Sequence, residues 1–185
     1  MQPRPAPQPT DDAIAAIRRV RAGDRDAFRP LVQRYQKPLF GFVTNLIRDA
    51  DAAEDIVQDV FCSAYAGLDA YDARRGSFST WLFTIARNRC FTWLARARTS
   101  LSEPVLLEPR TPLADASERE LFQRLDAALD ALPLAQRTAF VLAELQGLPH
   151  AEVARIEGTR LGTIKSRVAR ARERLRGLLF GTEAV

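Results

Sequence analysis

Residues 150–176 read HAEVARIEGTRLGTIKSRVARARERLR. Val153, Ala154 and Ile156 suit the buried side of a short helix. Gly158 suits its end, where a residue without a Cβ enters the left-handed region at no steric cost. Beyond it, Leu161, Ile164, Val168, Ala171 and Leu175 recur at steps of three and four, the period of an amphipathic helix. The other side of that helix carries Thr163, Ser166, Arg167, Arg170 and Arg174, with Lys165 at the edge. Short helix, glycine turn and basic second helix predict a helix-turn-helix, whose second helix enters the major groove of duplex DNA. Polar side chains near its start reach base edges, and arginines further along reach phosphates. From Arg160 to Arg176 seven residues are basic and only Glu173 is acidic. A basic run alone describes an ordinary solvated helix. The run together with the turn and the apolar stripe favours DNA.

Outward from this motif the chain is patterned as helix throughout. Leu121, Leu125, Ala128, Leu129 and Leu132 form a stripe that Pro133 ends, because the residue before proline avoids the α region. Val141, Leu142 and Leu145 belong to the next helix, closed by Gly147. Nearer the N-terminus, Asp51 and Glu54 form a capping-box-like start. Ile56, Val60, Phe61, Ala64 and Leu68 follow at helical spacing. Another helix begins near Ser77 or Ser79 and buries Trp81, Leu82, Ile85, Ala86 and Trp93. Pro30 falls inside an early helix and predicts a kink. No segment alternates as a strand does, and no internal repeat is found. Residues 1–10, MQPRPAPQPT, hold four prolines and read as a disordered tail. Residues 99–117, TSLSEPVLLEPRTPLADAS, hold three and read as a flexible linker. The expected fold is all-α: two small helical domains, 11–98 and 118–185, joined by that linker, with the helix-turn-helix in the second.

Composition bounds the function. Of 185 residues, 46% are hydrophobic and 27% charged, which supports a packed core. Lys and Arg number 27 against 23 Asp and Glu, a net charge of +4 that permits a polyanionic partner. No apolar run approaches the ~18 residues of a membrane span. Prolines rather than an apolar segment follow Met1, so the expected location is cytoplasmic. Cys62 and Cys90 read as packing residues in a reducing compartment. With His150 they are too few for a structural zinc site, and no metal or cofactor is expected. His150 reads as exposed, at a helix start, without a catalytic role. No phosphate-binding glycine loop, paired-carboxylate site or nucleophile motif is present, so an enzyme has no candidate residues.

Two N-terminal surfaces remain. Asp55, Gln58, Asp59 and Cys62 lie at i, i+3, i+4 and i+7, on one helix face, with Glu54 beside them. This is either a docking surface for another protein or plain amphipathic solvation. The stretch 71–93, YDARRGSFSTWLFTIARNRCFTW, interleaves six aromatics with Arg74, Arg75, Arg87 and Arg89. Thr84, Arg87, Asn88 and Phe91 share a face turned off the core. Exposed aromatics beside arginines suit single-stranded nucleic acid, where bases stack and phosphates pair. The angle of Arg89, between Ile85 and Trp93, leaves its direction open.

AAEDIVQDVF at 52–61, GSFSTWLFTIARNRC at 76–90, LPLAQRTAFVLAELQGLPHAEVA at 132–154 and GTIKSRVARARERL at 162–175 resemble, in that order, the segments of a bacterial RNA polymerase sigma factor of the extracytoplasmic-function group. The resemblance spans about residues 11–98 and 118–180. It implies that Glu54, Asp55, Gln58 and Asp59 face core RNA polymerase. It implies that Tyr71, Arg74, Arg75, Phe78, Trp81, Thr84, Arg87, Asn88 and Phe91 serve the −10 element as an opened strand. It assigns Thr163, Lys165, Ser166, Arg167 and Arg170 to the −35 duplex. Promoter DNA, core polymerase and an anti-sigma factor are the implied partners, and polymerase makes the bonds. Pro149, Glu157 and Thr159-Arg160 depart from the family pattern; Glu157 stands where an apolar residue is usual. The small Ala169 adds little to base contact. The runner-up is a conventional helix-turn-helix regulator of duplex DNA, and a third reading is a protein-interaction module with a basic helix.

Overall fold

A computed structural model describes residues 11–99 and 116–181. The described residues form α1 (Asp11–Arg21), α2 (Arg29–Ile47), α3 (Ala50–Ala66), α4 (Phe78–Thr99), α5 (Ala116–Asp130), α6 (Leu134–Phe140), α7 (His150–Glu157) and α8 (Leu161–Phe180). Short 3-10 turns at Arg25–Phe28 and Leu68–Ala70 follow α1 and α3, and one π turn, Val141–Leu145, extends α6. There is no strand among the described residues. The tail at 1–10 and all but the edges of the expected linker lie outside them.

Local chemistry sets the helix starts. The first turn of α3 is capped by Asp49, whose carboxylate accepts from the Ala52 amide at 2.9 Å. The cap expected at Asp51 therefore falls two residues late, and Asp51 instead places its charge in the first turn, where the helix dipole favours it. Ser77 does the same for α4, accepting from the Thr80 amide at 3.1 Å. Pro30 sits in the first turn of α2, where no amide is needed, so the expected mid-helix kink has no basis there. Pro149 directly precedes α7.

The core begins where α2, α3 and α4 meet. Tyr35, Leu39, Phe42 and Val43 of α2 are fully buried, as are Ala53, Val60 and Ala64 of α3 and Leu82, Ala86 and Cys90 of α4. Phe42 meets Phe83 edge-on, ring centroids 5.5 Å apart, and Tyr35 meets Phe78 at the same distance. Each such ring, taken out of water, stabilises the bundle by about 1.5–3 kcal/mol. The buried side of α4 is rotated from the expected one: Phe78, Leu82, Phe83, Ala86 and Cys90 lie inside, while Trp81, Ile85 and Trp93 are only half-buried. Two sides of α4 are occupied, one by α2 and α3 and one by α7. A helix packed on two sides has no single stripe for the sequence to display.

This core does not stop at the linker. Ala139, Val141, Leu142, Leu148, Val153 and Ile164 join the same contiguous cluster. A second cluster joins α5 to α8 through Ala128, Leu129, Leu132, Ala171 and Leu175. Polar contacts tie the halves further. Arg48, left-handed at the end of α2 with φ 59°, pairs with Asp126 and Asp130 of α5, each at 3.1 Å. Leu145 and Leu161, expected inside, are exposed, and so is Cys62; Cys90 is buried as expected.

Candidate nucleic-acid interface

The helix-turn-helix takes its shape from Gly158. Its φ of 61° ends α7, and its amide bonds back to the carbonyls of Ala154 and Arg155. The chain re-enters helix at Leu161. Ile164, Val168, Ala171 and Leu175 dock α8 inward, which turns Lys165, Ser166, Arg170 and Arg174 to solvent. Ser166 is tied locally, its hydroxyl donating to the Thr163 carbonyl at 2.9 Å. Thr163 is half-buried. Arg167 turns back to Glu157, Nη1 to Oε2 at 3.2 Å. Of the five residues assigned to duplex DNA, three are therefore exposed and two are partly withdrawn.

The face of α4 is built differently. Asn88 is exposed, and Phe91 is half-buried beneath the Arg87 guanidinium, which lies 4.0 Å from the ring centroid. Arg87 also donates through Nη1 to the Asn88 side-chain oxygen at 3.2 Å and through Nε to Glu157 Oε1 at 3.2 Å. Thr84 spends its hydroxyl proton on the Thr80 carbonyl at 2.7 Å. Asn88, Phe91, Thr92, Ala95 and Arg96 line a shallow concavity of about 620 Å³. Arg89 points the other way, to Ser63 of α3 at 2.9 Å.

The loop ahead of α4 is pre-shaped. Asp72 accepts from the Arg74 amide at 3.0 Å and grips the Arg74 side chain. That grip holds the Asp72 carboxyl at about 2, below the usual carboxylate range, and holds the Arg74 guanidinium above its own. Tyr71 donates to the Gly76 carbonyl at 3.1 Å across the loop. Sequence reasoning missed what anchors it. Arg21, at the end of α1, donates to the carbonyls of Leu68, Asp69 and Tyr71. Tyr71 and Phe78, assigned above to DNA, are 7% and 2% exposed. They are core rings on which half-buried Trp81 leans, 5.4 and 5.7 Å away, so they shape the pocket from behind and present no open face. Arg75 is exposed, and Arg74 projects outward from its pair with Asp72. A cavity of about 370 Å³ opens here, lined by Asp72, Arg75, Ser77, Trp81 and, from α7, Arg155.

The third surface is on α3. Glu54, Asp55, Gln58, Asp59 and Cys62 are all exposed on one side of the helix. Glu54, Gln58 and Cys62 also form one wall of a groove of about 830 Å³, with Gln36, Lys37 and Phe40 of α2 opposite. The groove is apolar at its floor, through Val57 and Phe61, and charged at its rim. Among the described residues no cluster of His, Cys, Asp and Glu is placed to hold a metal, and no helix is long and apolar enough to cross a membrane.

Comparison with known proteins follows the same division. Residues 31–99 match the profile of Sigma-70 region 2, and residues 122–175 match that of Sigma-70, region 4. The chain is 39% identical over 161 residues to the ECF RNA polymerase sigma factor SigM of Mycobacterium tuberculosis, covering 85% of this chain and 80% of that protein. It is 36% identical over 169 residues to the ECF RNA polymerase sigma factor RpoE of Cereibacter sphaeroides, covering 89% and 93%. Among solved structures, the sigma factor RpoE of Bartonella quintana, in complex with the anti-sigma factor NepR, aligns with a TM-score of 0.73 at 30% identity, over 86% of this chain and 99% of that one. CnrH, in complex with the cytosolic domain of CnrY, aligns with the same score at 25% identity, over 94% and 100%.

Proposed function

The chain belongs to the extracytoplasmic-function group of RNA polymerase sigma factors, proteins that direct polymerase to promoters, and from that premise we propose how its surfaces divide the work. The exposed acidic face of α3, with Glu54, Asp55, Gln58 and Asp59, docks on a basic surface of core polymerase. The α4 face and its loop capture the non-template strand at −10. Asn88 and Arg75 meet base edges and phosphates there, Trp81 and Phe91 offer rings for stacking, and Arg87 supplies charge. Captured bases repay part of the few kcal/mol that unstacking costs. Lys165, Ser166 and Arg170 read the −35 duplex, joined by Thr163 and Arg167 once the latter leaves Glu157. The sigma factor changes no bond itself, and it works in the cytoplasm beside polymerase. An anti-sigma factor holds it between rounds of use. Residues 11–98 and 118–185 act as region 2 and region 4 domains that separate on polymerase.

One observation carries this reading: the exposed Lys165, Ser166 and Arg170 of α8 and the aromatic-guanidinium face of α4 lie on different helices with different chemistry, one suited to a duplex and one to an opened strand. The test is transcription in vitro with core polymerase across a genomic promoter library, beside the variant Asp55→Arg with Asp59→Arg. Both aspartates are exposed, so the variant keeps its fold, and charge reversal turns attraction into repulsion. Loss of core binding with an unchanged circular dichroism spectrum is the expected result. A folded variant that co-elutes with core polymerase as the parent does sinks the docking assignment.

A further inference from the structure

Helix α7 reaches across the molecule to the surface that takes the −10 strand. A single carboxylate oxygen of Glu152 accepts from the Ser77 hydroxyl at 3.0 Å and from the Thr80 hydroxyl at 2.6 Å. At the other end of the same helix, Glu157 takes Arg87 on Oε1 and Arg167 on Oε2, both at 3.2 Å. The Glu157 side chain is only 2% exposed. Arg155, between them, walls the cavity that Trp81 and Arg75 open. The partners of the two carboxylates are hydroxyls and guanidinium groups, the donors with which proteins hold phosphate and base edges. A carboxylate offers the same charge-assisted acceptor as a phosphodiester oxygen.

We propose that Glu152 and Glu157 make α7 an intramolecular mimic of the DNA strand: in the free protein they occupy the donors of the −10 face and, through Arg167, one cation of the −35 helix. This rests on the assignment of the α4 face to the −10 strand and adds how that face is kept from DNA. An apolar residue at position 157 could accept from neither arginine. Closure and strand capture compete for the same side chains, so a free sigma factor binds DNA with its intrinsic affinity multiplied by the open fraction. A desolvated carboxylate shared by two arginines gains little net stability, because removing three charges from water offsets most of their attraction. The polar part of the closure is therefore weak, and moving the C-terminal half away frees Ser77, Thr80 and Arg87 in one step, while Arg167 stays beside Glu157 within the helix-turn-helix.

The experiment uses the full chain without polymerase. Binding of a fluorescent, random-sequence, single-stranded DNA is measured for the parent, for Glu152→Ala with Glu157→Gln, and for Asp12→Asn with Asp26→Asn, which makes the same charge change away from α7. The α7 variant should bind about tenfold more tightly than the charge-matched control, as release of a ninety-percent closed population requires. Spin labels on Cys62 and on a Glu173→Cys side chain should report a longer separation in it. Glu152→Ala alone, which removes only two hydroxyl contacts, should give a smaller gain in the same direction and covers the case in which the double variant unfolds. Equal affinity in the α7 variants and the control overturns the mimic, while the −10 reading stands if Asn88→Ala still impairs promoter opening in the holoenzyme. A gain that persists undiminished when Arg87→Ala is added shows that the cation α7 releases does not bind the strand, and the mimic then falls.

Discussion

The two helices proposed to meet DNA, α4 and α8, solve opposite problems. Helix α8 is packed on one side only, by a stripe ending at Leu175, and turns Lys165, Ser166 and Arg170 to solvent. Helix α4 is packed on two sides and keeps its functional groups in contact with the protein itself: Arg87 on Phe91, Asn88 and Glu157, and Thr84 on its own backbone. A duplex arrives as a finished surface, and exposed side chains on a regular helix suffice to read it. An unstacked strand is costly to make, and the site that captures it has to be built in advance from a fixed loop, leaning rings and oriented cations.

The largest test of this contrast removes what embeds α4. Leu142 is fully buried in the cluster that α4 shares with the C-terminal half. Leu142→Ala is expected to cost about 2–5 kcal/mol and to destabilise both halves in a single unfolding transition. Two separate transitions, with the N-terminal one unmoved, would break the picture of a shared core. Next come the contacts themselves. Arg170→Ala is expected to weaken binding of a −35 duplex by about 1–3 kcal/mol if it reads a base edge. Asn88→Ala should leave that binding alone and reduce promoter opening, read by permanganate footprinting. Equal damage to both readouts by either variant would erase the distinction between the helices.

Chemical modification sharpens the contrast on a smaller scale. Cys90, on the inner side of α4, has its thiol pushed up to about 12 by burial, whereas Cys62 on α3 is exposed. Iodoacetamide at pH 8 should label Cys62 and leave Cys90 unmodified until the protein unfolds, as peptide mapping would report. The smallest effect is at the loop before α4. Asp72 is held low by its bond to Arg74, so the contact is complete above the unfolded carboxyl value near 3.9. Its contribution to stability then fades as pH falls from about 4 through about 2. The NMR titration of the Asp72 carboxyl should have its midpoint near 2. A midpoint near 4 would mean that the loop is not pre-shaped.

The same contrast explains what the sequence disclosed. The α8 face was legible because a one-sided helix writes its packing as a period: Ile164, Val168, Ala171 and Leu175 are inside, and the cations opposite them are outside. Leu161 broke that pattern, since the first turn of α8 projects beyond the docking surface, where it is 42% exposed. On α3 the acidic face was equally plain, although Cys62 on the same side is solvent-exposed and packs nothing. On α4 the period failed. Phe83, against Phe42 of α2, and Cys90 are interior and Trp81 is at the margin, because α4 is packed by α2, α3 and α7 together and no single stripe marks its inside. Glu157 stood out as a charge in an apolar position. Its partners were invisible, since Arg87 lies 70 residues away and no local spacing connects them. Arg21 was hidden for the same reason: it acts on backbone carbonyls nearly 50 residues on, and backbone acceptors leave no mark in a sequence.

Arg21 also bears on how the molecule can be dissected. The match to Sigma-70 region 2 begins at residue 31, ten residues after the guanidinium that holds the loop. A fragment trimmed to that boundary would keep every residue of α4 and lose the clamp on Leu68, Asp69 and Tyr71, together with the buried Ala13 and Ile17 of α1. Its loop would be free to wander, and weak strand binding by such a fragment would reflect the cut and not the sequence of α4. The physical unit proposed to open DNA is longer than the segment that the region 2 match delimits.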